Sequence, residues 1–253
     1  MKKNTYPMRE HRLVFCLLMM CAGMMGAYTF TMRGGVFCNA QTANIVLMAI
    51  AFGKGEWLSG VYYLLPFTAY FVGAIISELL CLVLKDTGLF KWSTYLIGVE
   101  MIAMLTIGFV PLDVPHQVVQ VIINFLASMQ FTAFRKAEGI PMATTFCTNH
   151  VRQMGIAVAT ACKTRSTKPL TRGLYHFEMI AFFFVGGVIL TLCTGVLKEM
   201  SIWLSLAPFA ILLAMLISGD LYEHKHKDIV VSADDMVSVP SEDTSSSNEL
   251  SHK

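Results

Sequence analysis

Six apolar runs of about twenty residues or more, at 13–32, 58–84, 92–111, 116–134, 176–197 and 201–219, alternate along the chain with polar stretches. About 20 apolar residues in a helix span the hydrocarbon of a bilayer. Short segments of alternating pattern, the mark of a membrane barrel, are not what the chain offers. Two further runs, 42–52 and 148–162, are shorter. At ~1.5 Å per residue the first reaches about 16 Å, half a bilayer. Each follows a full run through a polar bend containing Gly or Pro, "RGGVFCNAQ" in one case and "RKAEGIPMATTFC" in the other. The pattern predicts an all-α membrane protein with six transmembrane helices and two short re-entrant half-helices.

The two short runs resemble each other. A shift of 106 residues sets Thr42 on Thr148, Met48 on Met154, Ile50 on Ile156 and Ala51 on Ala157, with Ile45 on Val151. The order is also the same in both halves: span, polar bend, short helix, span, span. If each short helix enters and leaves on one side, each half crosses three times, and the second half is inverted relative to the first. The expected organisation is a cytoplasmic N-terminus at 1–12, membrane repeats at 13–111 and 112–219, and a tail at 220–253.

Charge tests that topology. Only Arg33, Lys54 and Lys198 fall on the outer side, and the other 16 of the 19 Lys and Arg residues fall inside. Full crossing by the short helices would move Lys85, Lys91, Arg135 and Lys136 outside and weaken the bias. The positive-inside rule therefore favours both termini in the cytoplasm. The basic segment ahead of the first run could begin a signal peptide. No clean A-x-A site follows it, and a retained first helix is expected. The tail, "SADDMVSVPSEDTSSSNELSHK", is acidic and Ser-rich without apolar periodicity, which predicts disorder.

Composition agrees, at 55% apolar and 14% charged residues, where soluble domains carry about 25% charge. Seven scattered Cys form no CxxC pair and read as small apolar side chains, not disulfides or a metal site. There is no Walker loop or G-x-S-x-G elbow. No catalytic residue, metal or cofactor is expected. "KTRSTKPLTR" suits an inner loop facing anionic lipid, so the bilayer is the expected partner and nucleic acid is not. Homo-oligomerisation is left open.

The bends carry the candidate chemistry. Irregular backbone at membrane depth is tolerated only where protein buries it or water reaches it. Two such stretches in inverted halves would meet near the midplane as two walls of one polar site. Asn39, Gln41, Thr42 and Asn44 form one wall, and Thr144, Thr145, Thr148, Asn149 and His150 the other. Short-helix starts attract anions or carbonyl oxygens. Thr42 and Thr148 sit near those starts, where helix capping explains each hydroxyl as well as ligand contact does. Arg33 and Arg135 each end a span; snorkelling explains both, and gating of a vestibule is the alternative. Glu138 lies three residues from Arg135 and can pair with it. His150 is a neutral hydrogen-bonding residue or a proton-coupling one. Glu100 lies mid-span, where a carboxylate costs about 3 kcal/mol unless it pairs, faces the interior or is protonated. It is a candidate for proton or cation coupling, with a structural hydrogen bond as the alternative. The leading function is a transporter or channel for a small polar or anionic solute. A membrane enzyme acting on a lipid-borne substrate, and a membrane sensor or assembly factor, are the rivals.

At the same bends the chain resembles the YoaK-like family of bacterial membrane proteins. "RGGVFCNAQTANIVLMAIAFGKGEW" and "SMQFTAFRKAEGIPMATTFCTNHVR" are similar to its two signatures, and the resemblance spans about residues 12–220. It implies a six-span, multi-pass protein of the bacterial cytoplasmic (inner) membrane and no known reaction. Members usually carry Thr-Gly-Asn at both bends. Here Thr42-Ala43-Asn44 and Thr148-Asn149-His150 stand instead, and Gly26 stands where an Asp is common.

Overall fold

The computed structural model describes residues 6–84 and 89–225. The expectations for Lys85 and for the tail beyond Lys225 lie outside them. Eight α-helices follow one another: α1 (Arg12–Met32), α2 (Gln41–Gly53), α3 (Trp57–Val83), α4 (Trp92–Ile107), α5 (His116–Ala133), α6 (Thr148–Thr164), α7 (Lys168–Leu197) and α8 (Leu206–Lys225). A 3-10 segment, Lys198–Ser205, joins α7 to α8. Between α5 and α6 a small hairpin pairs β1 (Lys136–Ala137) with β2 (Ile140–Pro141). Its two-residue turn, Glu138-Gly139, has positive φ at both positions, as tight hairpins require.

Every apolar run forms helix, with shifts of boundary: α4 stops at Ile107, short of the expected 111, and the run 201–219 opens in the 3-10 segment so that α8 starts at Leu206. Helix α7 begins at Lys168, ahead of the expected 176, because Pro169 in its first turn fits a helix start. Helix α8 runs past the expected boundary at 219 to Lys225. The cause is polar docking. The Asp220 carboxylate accepts the Lys91 N–H at 2.9 Å and the Thr94 hydroxyl at 2.6 Å, capping α4 from outside its own sequence. Glu223 forms an ion pair with Lys91. Residues 220–225 therefore belong to the packed helices and not to the tail.

Among the described residues three stretches are long and apolar enough to cross a membrane: Arg12–Met32, Trp57–Val83 and the continuous Lys168–Lys225. They differ in burial. Of the apolar stretch, 78% is buried in α1 and only 17% in α3, so α1 is the central post. Its Phe15, Leu18, Met19, Met24, Met25 and Tyr28 are fully or almost fully enclosed. Outward faces elsewhere are apolar, with Leu58, Phe71, Ile102, Phe184, Leu192 and Val196 all exposed.

Helix α1 packs on α7, and α3 on α5; α2 lies on α3 and α6 on α7; α4 meets α8. Smaller contacts join α1 to α8 and α4 to α5. Directions follow from end-to-end contacts. Arg12 at the start of α1 pairs with Glu178 early in α7 at 3.4 Å and stacks on Tyr175, so these helices run together. Late in α3, Ser77 donates to the Met129 carbonyl and Glu78 pairs with Arg135, past the end of α5. Helices α3 and α5 are parallel too. Lys91 at the start of α4 meets the end of α8, while the Trp203 indole just before α8 donates to the Leu105 carbonyl late in α4. Helices α1, α4 and α7 thus run one way and α3, α5 and α8 the other. The short helices α2 and α6 lie at two of the places where the chain reverses, between α1 and α3 and between α5 and α7.

Candidate functional site

The first bend, residues 33–40, is organised by polar side chains. Arg33 is fully buried. Its guanidinium donates to the Val110 carbonyl at 2.5 Å, the Pro111 carbonyl at 3.0 Å and the Tyr28 hydroxyl at 3.0 Å. It clamps the end of α1 to the chain leaving α4, and does not reach outward as a snorkelling arginine would. The Arg33 carbonyl in turn accepts the Gln120 amide from α5. Asn39 lies on Gly26, where a Cβ would collide with its carboxamide, and donates to the Ala22 carbonyl at 3.0 Å. The small residue at 26 is what admits Asn39.

At the start of α2 the amides link in a chain. Asn44, fully buried, accepts the Phe37 N–H at 3.1 Å and donates to the Phe37 carbonyl at 2.6 Å and to Gln41 Oε1 at 3.2 Å. Gln41 donates to Asn124 Oδ1 at 2.7 Å, and Asn124 donates to the Gln120 carbonyl at 2.8 Å. This half-site is saturated.

The second bend reproduces one feature in register. His150 Nε2 lies 3.1 Å from the Ala143 carbonyl. Both this bond and that from Asn44 to Phe37 reach back seven residues. The pairs Asn44/His150 and Phe37/Ala143 are each separated by the 106 residues of the sequence shift. Burial follows the same register: Ala51 and Ala157 are buried, while Ile45, Val151, Ile50 and Ile156 are exposed.

From there the second bend departs. His150 Nδ1 lies 2.9 Å from Nδ1 of His176 on α7, and both histidines are fully buried. Gln130 of α5 donates to the Thr144 carbonyl at 3.3 Å. Tyr70 of α3 lies beside Thr145 and within electrostatic reach of Cys38 in the first bend, so one side chain stands between the two bends. Gln130 Oε1, the Thr144 hydroxyl and His176 Nε2 have no hydrogen-bond partner among the described residues.

The predicted site residues divide. Asn39, Gln41 and Asn44 meet in the first cluster; Thr144, Thr145 and His150 meet in the second. Thr42 and Thr148 are exposed, and neither caps its helix: the cap positions are Ala40 and Cys147, without side-chain bonds. Asn149 accepts from Arg152 at 3.0 Å at the surface. Arg135 pairs with Glu78 instead of Glu138, because the hairpin breaks the helical spacing that would bring three-apart residues together. Glu138 accepts the Arg12 N–H at 3.3 Å. Glu100 is fully buried, within electrostatic reach of Cys21 on α1, and neither carboxyl oxygen has a partner among the described residues.

Residues 120, 124, 130 and 176 were not expected. A signal existed for the first two. Gln120, Asn124 and Ser128 recur every four residues along an apolar run, which puts a polar stripe on one helix face.

The chain belongs to the DUF1275 family, described as proteins of unknown function, which matches residues 14–216. No curated protein and no solved structure matches it.

Proposed function

We propose that the chain is an integral protein of the bacterial cytoplasmic membrane that carries a small polar or anionic solute through the two bends. In this reading it crosses six times, as inverted repeats at 13–111 and 112–219, with α2 and α6 re-entrant and both termini inside. The YoaK-like resemblance is carried by the same two stretches and belongs to this reading.

The observation that carries it is the matched return bond of the two bends. Asn44 and His150 each reach back seven residues to a bend carbonyl, 106 residues apart along the chain. The helix pairings support the same symmetry. Exchanging α1 with α5, α2 with α6, α3 with α7 and α4 with α8 turns the α1–α7 contact into α5–α3, and α2–α3 into α6–α7. The alternating helix directions support two reversals without crossing. Basic residues gather at one end: Arg12, Lys91, Arg135, Lys163, Lys168 and Arg172 lie with the start of α1, which supports that end as cytoplasmic.

Asn39, Asn44, Thr144, Thr145 and His150 are buried while Thr42 and Thr148 face outward, so the inner polar groups of both bends are closed from outside in this conformation. Three ion pairs tie the halves at the basic end: Arg12–Glu178, Lys91–Glu223 and Arg135–Glu78. Rocking one half against the other would break them and open that side. At the opposite end the Gln120 amide, held on the Arg33 carbonyl, joins the two halves. Glu100, buried and unpaired beside α1, is the group positioned for proton coupling.

Flux into proteoliposomes tests this. Purified full-length chain should raise the permeation of small polar solutes above that of empty vesicles. Asn44→Ala and Gln41→Leu should reduce it with folding intact. Unchanged flux in both would remove the first bend from the path, and no flux for any solute would remove the transport reading.

A further inference from the structure

The two half-sites differ in hydrogen-bond saturation, and the difference has a sign. In the first, every side-chain amide oxygen and nitrogen of Gln41, Asn44 and Asn124 is engaged. In the second, Gln130 Oε1, the Thr144 hydroxyl and His176 Nε2 are enclosed without partners among the described residues. These groups form one cluster. Gln130 holds the Thr144 carbonyl, His150 holds the adjacent Ala143 carbonyl, and His176 touches His150. Gln130, Thr144, His150 and His176 are all fully buried. Native interiors leave few such groups unpaired, because each forfeits its hydration without return.

The tautomers follow from the partners. A carbonyl only accepts, so His150 Nε2 carries the proton that meets Ala143. In the neutral ring Nδ1 is then an acceptor, so His176 must donate through its own Nδ1. That leaves His176 Nε2 as a bare lone pair. Gln130 Oε1 is also an acceptor, since the amide nitrogen of the same side chain is spent on Thr144. The vacancies among the described residues are two obligate acceptors and two hydroxyls, of Thr144 and the adjacent Thr145, able to act either way.

We propose that the second bend is the solute-binding half-site, and that it takes a small uncharged molecule rich in N–H or O–H donors, of the amide or polyol kind. The inference rests on the transport reading above and narrows it. An anion offers acceptors only and would face Gln130 Oε1 and His176 Nε2 with like partial charge. A neutral donor satisfies both and leaves the hydroxyls to bond in either direction. The first bend, with its amides already engaged, lines the path without offering comparable vacancies.

Isothermal titration of the full chain in lipid nanodiscs tests this, with urea and glycerol as neutral donors and sodium formate and sodium nitrate as anions. Binding of urea or glycerol is expected, weakened tenfold or more by Gln130→Leu and by the near-isosteric Thr144→Val, with the Thr144→Ser variant restoring it. Thermal melts establish that each variant is folded. Formate or nitrate binding that is lost in the same variants would overturn the donor class and leave the transport reading standing. Binding indifferent to Gln130 and Thr144, or no response to any of the four probes, as for a site that holds only water, would overturn the assignment of the second bend. Gln130-dependent urea or glycerol binding without any proteoliposome flux would instead retain this site and remove transport.

Discussion

Gly186 lies where α7 crosses the central helix. A Cβ at that position would come within 3.0 Å of the Met20 carbonyl oxygen on α1, closer than real Cβ atoms approach. The obstacle is backbone, so neither side can turn a rotamer to make room, and the helices must part by about 1 Å. Overpacking of this kind costs roughly 1–3 kcal/mol. Helix propensity opposes it, since Gly→Ala in a helix gains about 1 kcal/mol. Gly186→Ala should therefore lose up to about 2 kcal/mol net, toward the upper figure because the obstacle is backbone. The same helix supplies the control. Gly195 has nothing within 4 Å of its would-be Cβ, so Gly195→Ala should gain up to about 1 kcal/mol. For chains of this size 1 kcal/mol moves the melting temperature by about 2–4 °C. Thermal melts in nanodiscs should thus separate the two variants by roughly 5–10 °C. Gly73, whose Cβ would strike the Phe125 carbonyl on α5, should follow Gly186 in sign and size if the α3–α5 and α1–α7 crossings are equivalent. Equal melting temperatures for the 186 and 195 variants would refute the backbone-contact argument. A neutral Gly73→Ala beside a damaging Gly186→Ala would refute the equivalence alone.

Three further outcomes are expected. Asp220→Ala should cost about 1–2 kcal/mol by removing the cap of α4, read as a lower melting temperature, and Asp220→Asn, which keeps an acceptor, should recover part of it. Arg33→Met removes three charge-assisted hydrogen bonds but also a buried charge; with about 1.5–3 kcal/mol per bond offset by the lost desolvation penalty, a net loss of roughly 2–4 kcal/mol is expected. Altered flux at unchanged stability would instead make Arg33 a gate. In a background without the exposed Cys81 and Cys162, Lys54→Cys and Lys198→Cys should react with an impermeant maleimide from outside the cell, and Lys168→Cys only after permeabilisation; labelling of 54 and 198 from different sides would break the six-span topology.

What the sequence made legible was segment length and the place of the bends. Hydrocarbon thickness dictates apolar run length, so all eight helices stood out as runs, and the bends at 33 and 135 stood out as their interruptions. Contacts between distant segments were not legible. Glu78 and Arg135 lie 57 positions apart, and Asp220 bonds the Lys91 N–H, 129 positions before it, at the start of α4. No local pattern selects those partners over Glu138 or over a residue preceding α4. The threonines failed through helix phase. With caps at Ala40 and Cys147, Thr42 and Thr148 fall inside the first turn and turn outward, while Asn44 and His150, two positions on, turn inward. One or two residues of error in a helix start are enough to exchange those faces.

The exchange of Asn44 for His150 between equivalent positions permits a test of the repeat at a single side chain. Both residues satisfy a bend carbonyl by a donor seven positions away. An asparagine at 150 has the donor this bond needs, in the geometry that position 44 already uses. His150→Asn should therefore keep the Ala143 carbonyl paired and stay within about 1 kcal/mol of the parent. His150→Leu fills similar space but strands that carbonyl, and a buried unpaired acceptor costs about 1–3 kcal/mol. The imidazole partner does not separate the two variants, because both strip His176 of its Nδ1 contact. Their difference in melting temperature thus isolates the return bond. If the asparagine variant melts as low as the leucine variant, position 150 does not repeat the role of position 44, and the internal duplication loses its strongest support.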